Sequence, residues 1–312
     1  MNRHRVLLIR YMLTLALALT GMGGMFSARA SGELVAALES LSGTVSVKRF
    51  DAGDYTQVNG ETLVGVGDTV RTAANSRARI TFFSNGVETD ILPESEFRID
   101  AFTGDEKSFE IAVTVLIGQT AQRVTRLLDA NSRYTINSTG LILAVRGTEF
   151  AVRVEASGRS ATIVQAGLVK AENPGTAGLA DVPAGFGVRA EAAKGLSDVV
   201  RAATFAQLDA ALDGCNAVIK TEGDVVLNVR TGPDLSFTKI GTLDNFTRQR
   251  VLGVTETTKW YRIPYLGWFA WVFAPALELD KACAGLRRYP DNQPAEEISR
   301  YPGLTPVPTP GR

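Results

Sequence analysis

The stretch Ala78-Arg79-Ile80-Thr81-Phe82-Phe83-Ser84-Asn85-Gly86 carries the pattern on which the fold turns. Ala78, Ile80 and Phe82 alternate with Arg79, Thr81 and Phe83. Side chains on a strand point to opposite faces in turn, so a period of two marks a strand with one buried face. Asn85-Gly86 follows at once, and Asn-Gly tolerates the positive φ angles that a tight hairpin turn demands. The stretch therefore predicts a strand, a hairpin and a sheet.

The same rhythm continues outward in both directions. Before it, Thr44 to Lys48 reads as a strand, separated by the turn residues Asp51 to Asp54. After it, Leu92-Pro93 marks another turn, and Ser108 to Leu116, Arg133 to Ile136, Ala144 to Glu155 and Ala161 to Val164 are rich in β-branched and aromatic residues. Residues 36–192 are thus expected to form an all-β domain. Ser197 to Asp213 breaks the rhythm: Val200, Phe205, Leu208 and Leu212 stand among alanines, and Ser197 is an available cap. An amphipathic linker helix is expected within residues 196–214, with a second domain over 215–283. Beyond Cys283, Pro290, Pro294, Pro302, Pro306, Pro308 and Pro310 point to a Pro-rich disordered tail over residues 284–312.

Residues 1–30 read as a cleavable signal peptide. Arg3, Arg5 and Arg10 precede a short apolar run from Tyr11 to Leu19, and Ala28-Arg29-Ala30 is the small-x-small pattern a signal peptidase accepts. A spanning helix needs about 20 apolar residues, so the alternative of an uncleaved anchor is weaker. Export makes the expected location periplasmic or extracellular, and no later run is long or apolar enough to span a membrane.

Cleavage changes the chemistry of what remains. Of 33 basic and 33 acidic residues, Arg3, Arg5, Arg10 and Arg29 leave and no acid does, so 29 bases face 33 acids at a net charge of −4. That balance gives no electrostatic footprint for nucleic acid or for an anionic bilayer. The only histidine, His4, leaves as well. Without imidazole there is no Ser-His-Asp triad and no ordinary zinc site, and no paired carboxylates stand out. The expectation is a protein that is not an enzyme and holds no metal or cofactor. Cys215 and Cys283 remain, either bridged, as an oxidising compartment favours, or as two buried thiols.

Several ordered stretches of the first domain resemble the FecR domain family. They are Gly43 to Val47, Val66-Gly67-Asp68-Thr69-Val70-Arg71-Thr72, Ser76-Arg77-Ala78 with the strand that follows, Asn85-Gly86, Leu92-Pro93-Glu94-Ser95, Ala144-Val145-Arg146-Gly147-Thr148-Glu149-Phe150, Thr162 to Lys170, and Pro183-Ala184-Gly185. Each also has its own physical reading. Gly67-Asp68 suits a tight turn in which Asp68 bonds nearby backbone, and Gly147 suggests a bulge inside a strand. A buried Arg146 would need a carboxylate, from Glu149 or from Asp68. The resemblance implies an extracytoplasmic β domain for signal relay or envelope binding, without an active site. Well-known members hang from an inner-membrane helix whose cytoplasmic end controls a sigma factor. This sequence departs from that plan, so the expectation is the sensing or docking domain alone.

The second domain resembles the bacterial SH3 family. Leu227-Asn228-Val229-Arg230-Thr231-Gly232-Pro233 carries the likeness, with Ile240 to Leu243, Val251-Leu252, Trp260-Tyr261-Arg262-Ile263 and Trp271-Val272. Val229 alternates inward with Leu227, Arg230 points out, and Gly232-Pro233 makes the first turn of a small barrel. The final hairpin has two possible registers, set by Gly267-Trp268 or by Ala270-Trp271-Val272. The resemblance implies binding of peptidoglycan or wall peptides through an aromatic groove. Trp260, Tyr261, Tyr265, Trp268 and Trp271 fall close together, some necessarily in the core; Tyr265 and Trp268, then Trp260 and Tyr261, are the candidate ligand contacts.

The expected molecule is an exported envelope binding protein whose partner is cell-wall peptidoglycan or, alternatively, another envelope protein through which it relays a signal. Intact-mass analysis of the exported protein should find a chain beginning at Ser31 and lighter than the dithiol form by two hydrogens. A chain retaining residues 1–30, or a dithiol mass, refutes the corresponding half.

Overall fold

The computed structural model describes residues 33–83, 87–104, 108–124, 132–191, 194–223 and 225–304. The signal-peptide reading and the Ser84-Asn85-Gly86 turn lie outside these residues. The described chain is predominantly β-strand, with one short α-helix between two β bodies.

The alternation at Ala78 does what it predicts. Arg77–Phe82 pairs antiparallel with Val87–Ile91, aligning Ala78 with Ile91 and Ile80 with Thr89. On its other side it pairs with Leu34–Ser42, which also pairs with Glu61–Gly65. The layer continues from Val87–Ile91 through Phe109–Val124, Glu149–Val154, Ser160–Ala166 and Phe186–Glu191, antiparallel throughout. A second layer runs Thr56–Val58, Val45–Lys48, Thr69–Thr72, Glu96–Gly104, Phe109–Val124, Arg133–Asn137, Ile142–Val145, Leu168–Asn173 and Gly178–Pro183. Within it Phe109–Val124 and Arg133–Asn137 are parallel.

Phe109–Val124 belongs to both layers, and its burial pattern explains how. Phe109, Ile111, Val113 and Val115 face the core, then the phase slips, and Thr120, Gln122 and Val124 face it. The slip falls at Gly118, whose φ of 92° bends the strand from one sheet into the other. Sequence reading ended this strand at Leu116 because the alternation fails there; the strand instead turns a corner. Leu38, Ile80, Ile91 and Phe150 from one layer meet Phe97, Ile99, Ile111 and Ile136 from the other in one continuous core.

One polar island sits in that core. Thr89, Thr120, Gln122 and Tyr134 are buried. The Tyr134 hydroxyl donates to Gln122 Oε1 at 2.8 Å, Thr89 Oγ1 donates to the same oxygen, and Gln122 Nε2 donates to Thr120 Oγ1 at 3.0 Å. Burial pushes the Tyr134 phenol well above its ordinary pKa. A buried network of this kind is tolerable only when its members are satisfied.

Two expectations are corrected here. Ala144 to Glu155 is two strands, Ile142–Val145 and Glu149–Val154, in different layers. The break is Arg146-Gly147-Thr148, where Gly147 takes a φ of 64°, so the glycine marks a crossing between layers rather than a bulge. The helix is Phe205–Asp213 and not Ser197 to Asp213, because Thr204, not Ser197, caps it by accepting the Gln207 N–H. Val200–Arg201, placed in the helix by its apolar spacing, forms a short strand against Phe186–Glu191.

The helix is fastened to the first body. Phe205, Leu208 and Ala211 pack on Ala151, Ala161, Ile163 and Val200, away from the main core. Arg153 forks onto Asp209 at 2.9 and 2.7 Å, and Arg189 onto Asp213 at 2.6 Å for both bonds. Cys215 follows Asp213 by two residues and is joined to Cys283, with Cα atoms 5.6 Å apart. The bridge expected from compartment and count is therefore present.

Replacing Gln122 by Leu should destabilise the protein by about 2 kcal/mol, since the Tyr134 and Thr89 hydroxyls lose their acceptor while staying buried; Tyr134→Phe should cost about half as much. Denaturant unfolding measures both. A Gln122→Leu protein as stable as the parent would show that the island contributes nothing.

Candidate functional site

The second body places its aromatic residues on one hairpin. Trp260–Tyr265 and Trp268–Phe273 pair antiparallel, from Trp260 opposite Phe273 to Tyr265 opposite Trp268. Leu266 and Gly267 form the turn with φ of 47° and 80°, the positive values a two-residue hairpin needs. This fixes the register that the sequence left open. Gly267-Trp268 is the turn exit, and Trp271-Val272 is the core strand, paired with Val229 and Arg230.

Alternation along the hairpin divides the aromatics. Trp271 is buried, edge-on to Tyr289 at 5.7 Å. Trp260, a candidate ligand contact, is 6% exposed and packs edge-on against Phe273, so it belongs to the core and is corrected as such. Tyr261 is half-buried, and burial raises its phenol pKa. Tyr265 is half-buried, with its hydroxyl end over Gly241, where a Cβ would meet it at 1.9 Å. Trp268 keeps part of its ring accessible. The structure thus brings Tyr265 and Trp268 together across the hairpin mouth.

A third partner arrives from the segment expected to be a disordered tail. Arg287–Tyr289 is a strand, parallel to Gly253–Thr255, and residues 287–304 cross the aromatic face as a strap. Tyr289 lies over Gly253, where a Cβ would meet its ring at 2.3 Å. Glu296 accepts from Arg262 Nη2 and from Trp268 Nε1, both at 2.8 Å, while its own N–H donates to the Thr231 carbonyl. Arg300 sits 4.8 Å over the Trp268 ring. Tyr301, 1% exposed, donates its hydroxyl to the Phe269 carbonyl at 2.6 Å. Prolines suggested disorder, yet Leu286, Tyr289, Tyr301 and Leu304 are apolar anchors and were the signal to find. Residues 305–312 lie outside the described residues.

Arg262 is the centre of this arrangement. Its guanidinium lies 4.1 Å from the Phe269 ring and 5.0 Å from the Tyr289 ring, donates to the Tyr289 hydroxyl at 3.1 Å, and pairs with Glu296. Each side chain of the pair is 19% exposed. Planar, always charged and stackable on aromatics, Arg is the side chain suited to such a place. Neither Arg262 nor Glu296 was among the predicted contacts, because the pair joins residues far apart in sequence.

The remaining motif residues are framework. Asp68 is buried and accepts from Arg49 at 2.8 Å, from the Phe50 N–H at 3.0 Å and from the Gly65 N–H at 2.9 Å. Gly67 has a φ of 91°, and a Cβ there would lie 2.4 Å from the Phe50 ring. Arg146 is exposed rather than buried; Asp68 pairs with Arg49, and Glu149 with Arg123. Arg230 donates to the Phe237 carbonyl, Gly232 lies under the Phe237 ring, and Pro233 is buried. Among the described residues no group of three or more His, Cys, Asp or Glu could hold a metal ion, and no helix is long and apolar enough to cross a membrane.

The geometry defines a two-body β protein whose second body is a disulfide-closed barrel, with Arg262 and Trp268 of one hairpin both bonded to Glu296. Residues 68–170 match the FecR protein family, and residues 225–278 match the bacterial SH3 domain family. Both are domains of non-catalytic kinds. No curated protein matches the chain. Two crystal structures of a candidate anti-sigma factor from Parabacteroides distasonis ATCC 8503, at 1.65 and 2.50 Å, each share 14% identity with it at a TM-score of 0.37. Each match covers 50% of this chain and 68% of the other, a likeness too slight to bear on function.

Tyr301 gives the strap a pH signature. Burial, then the Glu296 charge, push its phenol up to about 12, with Arg262 opposing. An unfolded tyrosine ionises near 10. The neutral phenol therefore stabilises the fold fully below about pH 10, and that contribution is lost as pH rises towards 12. Tyr301→Phe should flatten the stability profile across this window, measured by thermal melts at stepped pH. An unchanged slope would mean that Tyr301 is not the group responsible.

Proposed function

We propose that the protein is an exported, non-catalytic envelope binding protein, in which the bacterial SH3-like barrel contacts peptidoglycan or wall peptides and the FecR-like body docks or senses. The observation that carries this reading is the aromatic hairpin of the disulfide-closed barrel, from which Arg262 and Trp268 both donate to one carboxylate. Aromatic faces stack on sugars and peptides at low entropy cost, and a stacked guanidinium recognises carboxylates. The disulfide supports an oxidising compartment. Both domain matches fit an envelope location.

The FecR match supports a second reading, an envelope sensor that relays through a protein partner. Sedimentation with insoluble peptidoglycan separates the two. The chain from Ser31 should co-sediment with the wall. A chain ending at Asp213, whose core and helix seat are complete without the barrel, should stay in solution. Equal retention of the shortened chain would refute the barrel as the wall contact. No retention of either, with in-cell crosslinking to one envelope protein, would select the sensor reading.

A further inference from the structure

The strap lies on the barrel as a bound peptide lies on a receptor, held at points rather than along its length. Arg287–Tyr289 adds a strand to a sheet edge, Glu296 places a carboxylate between two donors, and Tyr301 fills an apolar seat. Between these anchors Pro290, Asp291, Asn292, Pro294 and Ala295 are exposed, and of these Asp291 adds a further tie by accepting from the Thr257 N–H and hydroxyl. Strand addition with pockets for particular side chains is a general mode of peptide recognition. A segment that were simply part of the core would bury its length.

The two donors beneath it, Arg262 and Trp268, suit an anion. Arg262 is held in place by two rings and the Tyr289 hydroxyl, and Glu296 is the carboxylate paired with it. Arg262 Nη2 meets Oε1 of Glu296, and Trp268 Nε1 meets Oε2, so two donors engage both oxygens of one carboxylate. A neutral amide cannot reproduce this, because one of its terminal atoms is itself a donor. Arg262 Nε is buried with no hydrogen-bond partner among the described residues, so Glu296 leaves part of the guanidinium unsatisfied. A mostly buried cation of this kind is costly to leave unpaired, so whatever occupies the place of Glu296 must be an anion.

We infer that the Arg262–Trp268 donor pair is a peptide-carboxylate site, filled in the resting chain by Glu296 and opened when the carboxylate of a wall stem peptide displaces the strap. The inference rests on the wall-binding reading for the source of the peptide. An occupant in the same chain lowers apparent affinity by the fraction of molecules that are open, so loosening the strap should tighten binding.

The test uses the full mature chain and its Glu296→Gln variant, titrated with three soluble probes: a wall stem tripeptide with free carboxylates, the same tripeptide with its carboxylates amidated, and a synthetic copy of residues 290–304. Hydrogen exchange across residues 287–304 reports the strap. Glu296→Gln should raise that exchange and bind the free-acid tripeptide about tenfold more tightly than the parent, the effect of losing one charge-assisted hydrogen bond. The amidated probe should gain nothing, and adding Arg262→Gln should abolish the gain. Equal affinity of parent and variant for every probe, or equal binding of acid and amide, overturns the site. Binding of the strap copy to Glu296→Gln without binding of the wall tripeptide keeps the carboxylate site and removes the wall as its source. If Glu296→Gln fails to fold, Glu296→Asp keeps the charge with a shorter reach, and should show a smaller gain in the same direction. No gain with Asp overturns the site as well.

Discussion

The bond between Cys215 and Cys283 holds the ends of the barrel 5.6 Å apart at Cα, across 68 residues of chain. Closing a loop of that length removes about 4 kcal/mol of entropy from the unfolded chain in the simplest model. Its geometric effect is as large. Cys215 begins the strand Cys215–Ile219, which lies between Arg248–Val251 and Leu277–Leu279. The chain leaving Cys283 therefore departs from a fixed corner, and four residues later it enters the sheet beside Gly253–Thr255. On the other side of the bridge, Asp213 is gripped by Arg189 of the first body. First body, barrel and strap meet at one covalent point.

Arginine–carboxylate pairs do the remaining connecting. Arg49 with Asp68 sets a turn, Arg153 with Asp209 and Arg189 with Asp213 seat the helix, and Arg262 with Glu296 closes the strap. Fully exposed pairs contribute little, but these are partly buried and hydrogen-bonded at more than one atom. The planar fork fixes direction as well as distance, which is why Lys would not serve equally. Their value lies mainly in the cost of breaking them, since removing one partner leaves the other charge partly buried and unpaired.

The two matched regions do different work in one chain. The FecR-like body is a double layer sharing the strand Phe109–Val124, rigid because its core is continuous across both sheets. The barrel is smaller, and its core is completed by Tyr301 and flanked by Leu286 and Leu304, all from beyond Cys283. Its stability and the cover over its aromatic face thus depend on the same segment. Arg287 of the strap also pairs with Asp198 beside the first body.

Local pattern made much of the fold legible. The alternation at Ala78, Ile80 and Phe82, the β-branched strands, the linker helix and the cysteine pair each depend on neighbouring residues or on simple chemistry, and each appears in the structure. Pattern misled where the chain changes partners without changing composition: at Gly118, where one strand serves two sheets, and at Arg146-Gly147-Thr148, where an apolar run crosses between layers. The candidate site was half legible. Tyr265 and Trp268 could be picked out from the cluster of aromatic residues, but Arg262, Glu296 and Tyr301 gain meaning only when residues 32 to 34 apart in sequence are brought together. Sequence by itself determined an all-β chain in two bodies with a pair of cysteines in the second that could bridge. Only tertiary structure decided that a proline-rich end is a strap, because a few widely spaced anchors can fix a segment whose average composition favours solvent.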